Sequence, residues 1–310
     1  MHEMSLESDL KEPTPFERAH SQYQAIVQSR KLRQFKSNRL NLIGLALVLL
    51  VVSSALLAPW IAPYEPNEQD LLNRLDSPSS EHIMGTDQLG RDMFSRLLYG
   101  AQISLRVALV VVAITLMIGT FVGVVAGYAG GWVDEALMRF VDILLAFPGI
   151  LLALVIAGIL GPSLTNIMIA LAVVGWTQYA RIIRGSVLSI KEKEFIKAAR
   201  LMDVSKPRII WRHVLPNVIT PVVVLATMDM AYVILGTAGL SFLGLGAQPP
   251  TPEWGAMLSQ GRNHIQTAWW VVNFPGLVIM ITVLGFNLLG DGLRDVLDPR
   301  DLGDVEGKSL

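Results

Sequence analysis

Asp229 sits about midway along an apolar run, in Ala226-Thr227-Met228-Asp229-Met230. A charge at the centre of a bilayer costs a few kcal/mol or more, so this carboxylate must face protein or a water-filled path. Two readings stay open. In one, Asp229 lines a translocation path and meets a cationic group or a metal. In the other, it makes a helix–helix hydrogen bond, with Thr227 the nearest candidate. Met228 and Met230, two residues apart, do not share a helix face, so packing is their default. The five histidines, His2, His20, His82, His213 and His264, form no ligand-spaced pair, and no zinc or nickel site is supported. With no cysteine in the chain, thiol ligands and disulfides are excluded. Gly85-Thr86-Asp87-Gln88-Leu89-Gly90-Arg91-Asp92 is rich in Gly and charge but lacks the Gly-Lys-Ser/Thr ending of a phosphate-binding loop. It reads as a structural turn leading into an amphipathic helix. Glu253-Trp254 reads either as a contact for an incoming ligand or docked protein, or as an interfacial anchor. No Walker A segment and no Ser/His/Asp arrangement is recognisable. The chain is not expected to be an enzyme, and no cofactor is expected.

The elements that must hold these residues are membrane spans. Of 310 residues 52% are hydrophobic and only 16% charged, with mean hydropathy +0.48, whereas a soluble domain carries about 25% charged residues. The net charge of −1 points to no nucleic-acid partner. Apolar runs at residues 41–61, 103–127, 140–160, 164–183, 218–240 and 271–289 are each near the ~20 residues a span needs. The fold class is therefore an all-α integral membrane protein with six transmembrane helices. The third run carries Asp142 near its inner end and Pro148 within it, and residues 128–139 read as a short inside loop. Gly119, Gly123 and Gly127, four apart, predict close helix packing on the second run. Residues 62–100 hold seven acids against three bases, whereas residues 181–216 hold nine bases against three acids. The positive-inside rule places the first outside, the second in the cytoplasm, and both chain ends in the cytoplasm.

Residues 191–217 are a basic interruption between two spans. Phe195, Ala198, Ala199 and Met202 fall at helical spacing and predict one apolar stripe, with Lys193, Lys197 and Arg200 around it. Lys206-Pro207 is expected to end this helix, because proline lacks the N–H and clashes with the preceding turn. A second short helix from Arg208 then leads through Leu215-Pro216 back to the membrane. The organisation read from these features is a cytoplasmic tail with a basic surface helix (1–39), a first span with an outer loop (40–101), a five-helix core containing the 191–217 loop (102–300), and a cytoplasmic tail (301–310).

Several of these stretches resemble one family. Ala198-Ala199 and Val214-Leu215-Pro216 match the cytoplasmic coupling loop, or EAA loop, of permeases in binding-protein-dependent ABC importers. Lys197 stands where the family has Glu. Asp203 stands where it has Gly, which removes the residue that enters a left-handed turn most easily. Residues 85–96 match every fixed position of the GTD-x-x-GRD-x-x-SR segment of the peptide and nickel branch. Phe242-Leu243-Gly244-Leu245-Gly246 through Gly255, and Gly285-Phe286-Asn287 through Asp295, are also similar to that branch. The chain thus resembles, over roughly residues 40–300, the C-type permease of a dipeptide, oligopeptide or nickel importer in the inner membrane component family.

The resemblance implies a MetI-like fold with an added N-terminal span, in a bacterial inner membrane. It implies a heterodimer with a second permease, two ATP-binding subunits that hydrolyse the ATP, and an extracytoplasmic solute-binding protein. Phe195, Lys197, Ala198, Ala199, Arg200, Met202 and Asp203 would couple to the ATPases, and Glu253 and Trp254 are candidates for docking the binding protein. Peptides are the expected cargo, with nickel chelates or glutathione-like solutes as the alternative. An ion-coupled secondary transporter is the rival of another class.

Overall fold

The computed structural model describes residues 33–297, and within them every extended regular element is helical. The expected tails fall mostly outside these residues; residues 33–37 are helical. Helix α1 (Arg39–Ile61) starts where the Asn38 side chain accepts from the Leu40 N–H at 3.0 Å. It packs along the last helix through Gly44. A Cβ there would lie 2.7 Å from the Leu288 Cβ, so only glycine allows this approach.

Helix α2 (Met93–Ala129) has 37 residues and is about 56 Å long, well beyond a hydrocarbon core of about 30 Å. The expected second span, residues 103–127, is therefore the C-terminal part of a longer rod that begins ten residues earlier. Gly119, Gly123 and Gly127 sit against Tyr179, Ile183 and Val187 of α5 (Leu164–Lys191). A Cβ on Gly119 would come within 2.3 Å of the Tyr179 Cβ, which is why this seam consists of small residues.

Between them the sequence expectation needs correction. Residues 128–139 are not a loop, and residues 140–160 are not one straight span. The chain forms α3 (Gly131–Leu145) and α4 (Gly149–Leu160), bent by 84°. Pro148 supplies no N–H and disfavours helix at Phe147, so the rod breaks there. At 12 residues α4 is only about 18 Å long and cannot cross alone. Among the described residues five helices are long and apolar enough to span, and the bent pair makes up to six.

The remaining elements are α6 (Glu194–Leu201), α7 (Lys206–Ile209), α8 (Leu215–Phe242), α9 (Trp254–Gly261) and α10 (Trp270–Leu297). Two apolar cores result. One contains Val107, Val111, Ile167, Ile234, Trp254 and Trp270. The other, at the opposite end of the helices, joins Val187, Ile190, Ile196, Ala199, Ile209 and Val214.

Candidate functional site

Helix α6 has only eight residues, too few to persist alone in water. Packing of Ile196 and Ala199 into the second core holds it in place. Ala199 is 5% exposed, whereas Phe195, Ala198 and Met202 are exposed. The single stripe expected from spacing is thus corrected. Ala199 belongs to the inward face, and the outward face is Phe195, Ala198, Leu201 and Met202. Lys197 is half-exposed and lies 3.4 Å from Glu194 and 4.0 Å from Glu192.

The loop is anchored to α2. The Lys191 ammonium donates to the Tyr128 carbonyl at 3.0 Å, at the C-terminal end of that helix. Lys191 and the Arg200 guanidinium lie 5.7 and 5.8 Å from the Tyr128 ring centroid. Beside them is a groove of about 740 Å³ lined by Val124, Tyr128, Lys191, Arg200, Lys206 and Ile210.

Asp203 has φ +53°, so the left-handed turn survives without glycine. Its N–H donates to the Arg200 carbonyl at 3.1 Å, and that of Val204 to the Ala199 carbonyl at 3.1 Å. Aspartate tolerates this region better than most side chains but still pays a conformational cost. Asp203→Gly is expected to leave the fold unchanged and to raise stability slightly, by at most about 1 kcal/mol. Asp203→Val should lower it. Thermal melting of the purified permease complex would show the opposite signs.

Pro207 begins α7 instead of ending α6. Proline is accommodated in a first turn, whose N–H groups have no intrahelical acceptor anyway. From Lys206 the chain then runs through a π-turn, Ile210–Val214, directly into α8. The loop and the membrane helix are therefore one nearly continuous rod, and π-turns of this kind occur often at functional sites.

Sequence reasoning missed a charged ladder on α5. Arg184 donates to both oxygens of Asp134 on α3, through Nη2 at 2.7 Å. Arg181 donates to Asp142 on the same helix at 2.5 Å. These arginines were expected in or beside the cytoplasmic loop. They lie instead within α5, facing partners 50 and 39 residues away, and no local spacing could have revealed the pairing.

Asp229 is half-buried on α8. Thr227 is not its partner, because that hydroxyl donates to the Val223 carbonyl at 3.0 Å. Tyr179 and Tyr232 stand within electrostatic reach of the carboxylate, although the buried Tyr179 hydroxyl completes no hydrogen bond of ordinary geometry.

The expectation that Glu253 and Trp254 face an incoming protein is corrected. Both are buried. The Glu253 oxygens accept from the Gly255 and Ala256 N–H groups at 3.0 and 2.9 Å and cap α9. Burial pushes this carboxyl above the usual range, while the two N–H groups act the other way. The Trp254 indole donates to the Leu97 carbonyl at 3.1 Å, locking α9 onto α2.

The Gly-rich outer segment is a buried brace. Asp87 accepts from the Leu89 N–H at 2.8 Å and from Arg91 Nε at 2.7 Å, and lies 3.4 Å from Arg96 Nε. Arg96 also donates to the Pro66 carbonyl at 2.7 Å, and Arg91 to Gln260 at 3.0 Å. The Trp270 indole donates to the Thr86 carbonyl at 3.0 Å. Asp92 caps α2 at the Ser95 N–H, 2.7 Å away.

Comparison with known proteins places these features in context. Residues 119–301 match the family described as binding-protein-dependent transport system inner membrane component, and residues 29–78 match the N-terminal TM domain of oligopeptide transport permease C. The chain is 48% identical to the dipeptide transport system permease protein DppC of Alkalihalophilus pseudofirmus, over 90% of this chain and 92% of the relative. It is 47% identical to the glutathione transport system permease protein GsiD of Escherichia coli O6:K15:H31, over 87% and 90%. It is 43% identical to the probable D,D-dipeptide transport system permease protein DdpC of Escherichia coli K12, over 86% and 89%. An inward-facing structure of the MetNI methionine ABC transporter superposes with a TM-score of 0.55 at 21% identity, covering 66% of this chain and 97% of that chain. At that identity the likeness concerns the fold alone.

Proposed function

Because the chain belongs to the binding-protein-dependent transport system inner membrane component family, we propose that it carries small peptides inward. It is a permease of an ABC importer in the inner membrane, and ATP hydrolysis resides in partner subunits. Family membership displaces the ion-coupled secondary transporter as a reading. The dipeptide and D,D-dipeptide functions of its relatives support the peptide cargo. Glutathione, itself a small peptide, is the second reading, favoured by the relative of that name.

The observation that carries the mechanism is the rod that joins the α6 loop to α8 without a break. Partner ATPases grip the exposed Phe195, Ala198 and Met202 face, with Lys197, Arg200 and Asp203 at its margin. ATP-driven closure moves α6, and the rod passes the movement to the membrane helices. ATP binding supplies the free-energy difference between the two access states, as any ligand-driven shift requires. A second, non-identical permease completes the path, and a binding protein delivers cargo outside. Both chain ends lie in the cytoplasm, consistent with the seven bases against three acids of residues 191–216. Residues 40–101 form a span with an outer brace, and the core follows from residue 102 to at least residue 297.

The test is uptake of a labelled dipeptide into vesicles holding the whole importer. Uptake is expected only with ATP and binding protein together, with competition by glutathione if the second reading holds. ATP-independent uptake driven by an ion gradient would overturn the assignment. Within that assay Asp229→Asn and Asp229→Ala, in complexes that still assemble, are expected to lower uptake about tenfold as Asp229 lines the path. Wild-type rates in both would remove Asp229 from it.

A further inference from the structure

We infer that the Asp142–Arg181 pair is a station on the water-filled path, where the two charges part to receive the charged ends of a zwitterionic peptide. This rests on the peptide reading above. Arg181 lies ten residues before the end of α5, about 15 Å into the helix. Asp142 lies just before the 84° break between α3 and α4. The pair is joined by one hydrogen bond, and the Asp142 and Arg181 side chains are 62% and 54% exposed. Phe140, Ile143 and Phe147, close to Asp142 along the chain, are also exposed, and Phe140 stacks on Trp176 of α5 at 6.2 Å.

Two arguments exclude lipid as the neighbour of this face. Ionised side chains at membrane depth turn to protein or water. The broken backbone at residues 146–148 is exposed, and irregular backbone within the membrane is tolerated only in protein or along a water-filled cavity. A purely structural role is already filled by the neighbouring Arg184–Asp134 pair. That pair ties the same two helices with two hydrogen bonds and is only 33% and 14% exposed. The outer pair is left with both heads open.

Its chemistry suits a peptide. The planar guanidinium receives a carboxylate in a two-pronged contact, and the aspartate receives an ammonium. An extended two-residue chain is about 7 Å long, so one internal pair is exchanged for two with the cargo.

The chain has no cysteine, which makes labelling clean. Asp142→Cys, Arg181→Cys and the exposed apolar reference Met117→Cys are placed singly in the whole importer in vesicles. A charged, membrane-impermeant thiosulfonate is expected to modify positions 142 and 181 at least tenfold faster than 117. Saturating dipeptide, with ATP and binding protein, is expected to slow both rates several-fold. Rates no faster than at 117 would place the pair in lipid or against another subunit and overturn the inference. Fast rates that dipeptide leaves unchanged would overturn its role in binding. The rates without cargo do not depend on what is carried, whereas the peptide reading stands or falls on wild-type uptake.

Discussion

Asp87→Ala is expected to destabilise the outer layer by about 3–5 kcal/mol, the usual cost of removing one partner from a buried ionic cluster. Arg91 and Arg96 are each only about 1% exposed, and Asp87 is the acid that faces both. Without it two guanidinium groups remain buried with backbone and amide acceptors alone. The Leu89 and Arg91 N–H groups also lose their acceptor. Because Arg96 reaches the Pro66 and Pro250 carbonyls, the damage spreads from residues 62–100 to the second outer loop. The checks are the melting temperature of the purified complex and limited proteolysis from the outer side. Asp87→Asn, which keeps an acceptor but not the charge, should fall between. A melting temperature for Asp87→Ala within a degree of wild type would show that the two arginines are satisfied in some other way.

The second large effect separates two adjacent alanines. Ala199→Glu drives a carboxylate into the core of Ile196, Ile209 and Val214. An unpaired buried charge costs several kcal/mol, so the α6 loop should unpack and the complex should fail to assemble with its ATPases. Ala198→Glu lies on the open face and should leave permease stability within about 0.5 kcal/mol. It should nonetheless lower peptide uptake per ATP hydrolysed about tenfold, because a bulky charge then stands on the face proposed above to meet the ATPases. Measuring melting and the uptake-to-hydrolysis ratio on both variants resolves the two roles. Unchanged coupling in Ala198→Glu would move the contact away from this face.

These two cases also show where sequence reasoning stops. An eight-residue helix bearing Phe195, Ile196, Ala198, Ala199 and Leu201, with Met202 just past its end, is apolar on more than one side. Spacing groups Ala199 with Phe195 and Met202, yet the end of α5 decides which side is covered, and Ile196 and Ala199 win. Glu253-Trp254 reads from sequence as a surface pair because it lies in an outer loop and tryptophan favours the membrane–water interface. A helix start that needed a carboxylate cap, and a carbonyl on α2 within reach of the indole, drew both inside. Pro148 reads as a proline inside one continuous span, and nothing local shows that the chain turns by 84° there and makes a helix of the expected loop.

What the sequence determined by itself was everything set by local chemistry. Runs of apolar residues compel spans, glycines every fourth residue admit a close neighbour, and the motifs at residues 85–96 and in the 191–217 loop identify the family; the imbalance of charge between loops supplies the proposed orientation. The tertiary structure alone decided which residues are covered and which charges meet. Asp134 finds Arg184 across 50 residues, and Asp142 finds Arg181 across 39. Burial and ion pairing depend on distances between elements far apart along the chain, and those distances exist only once the helices have packed.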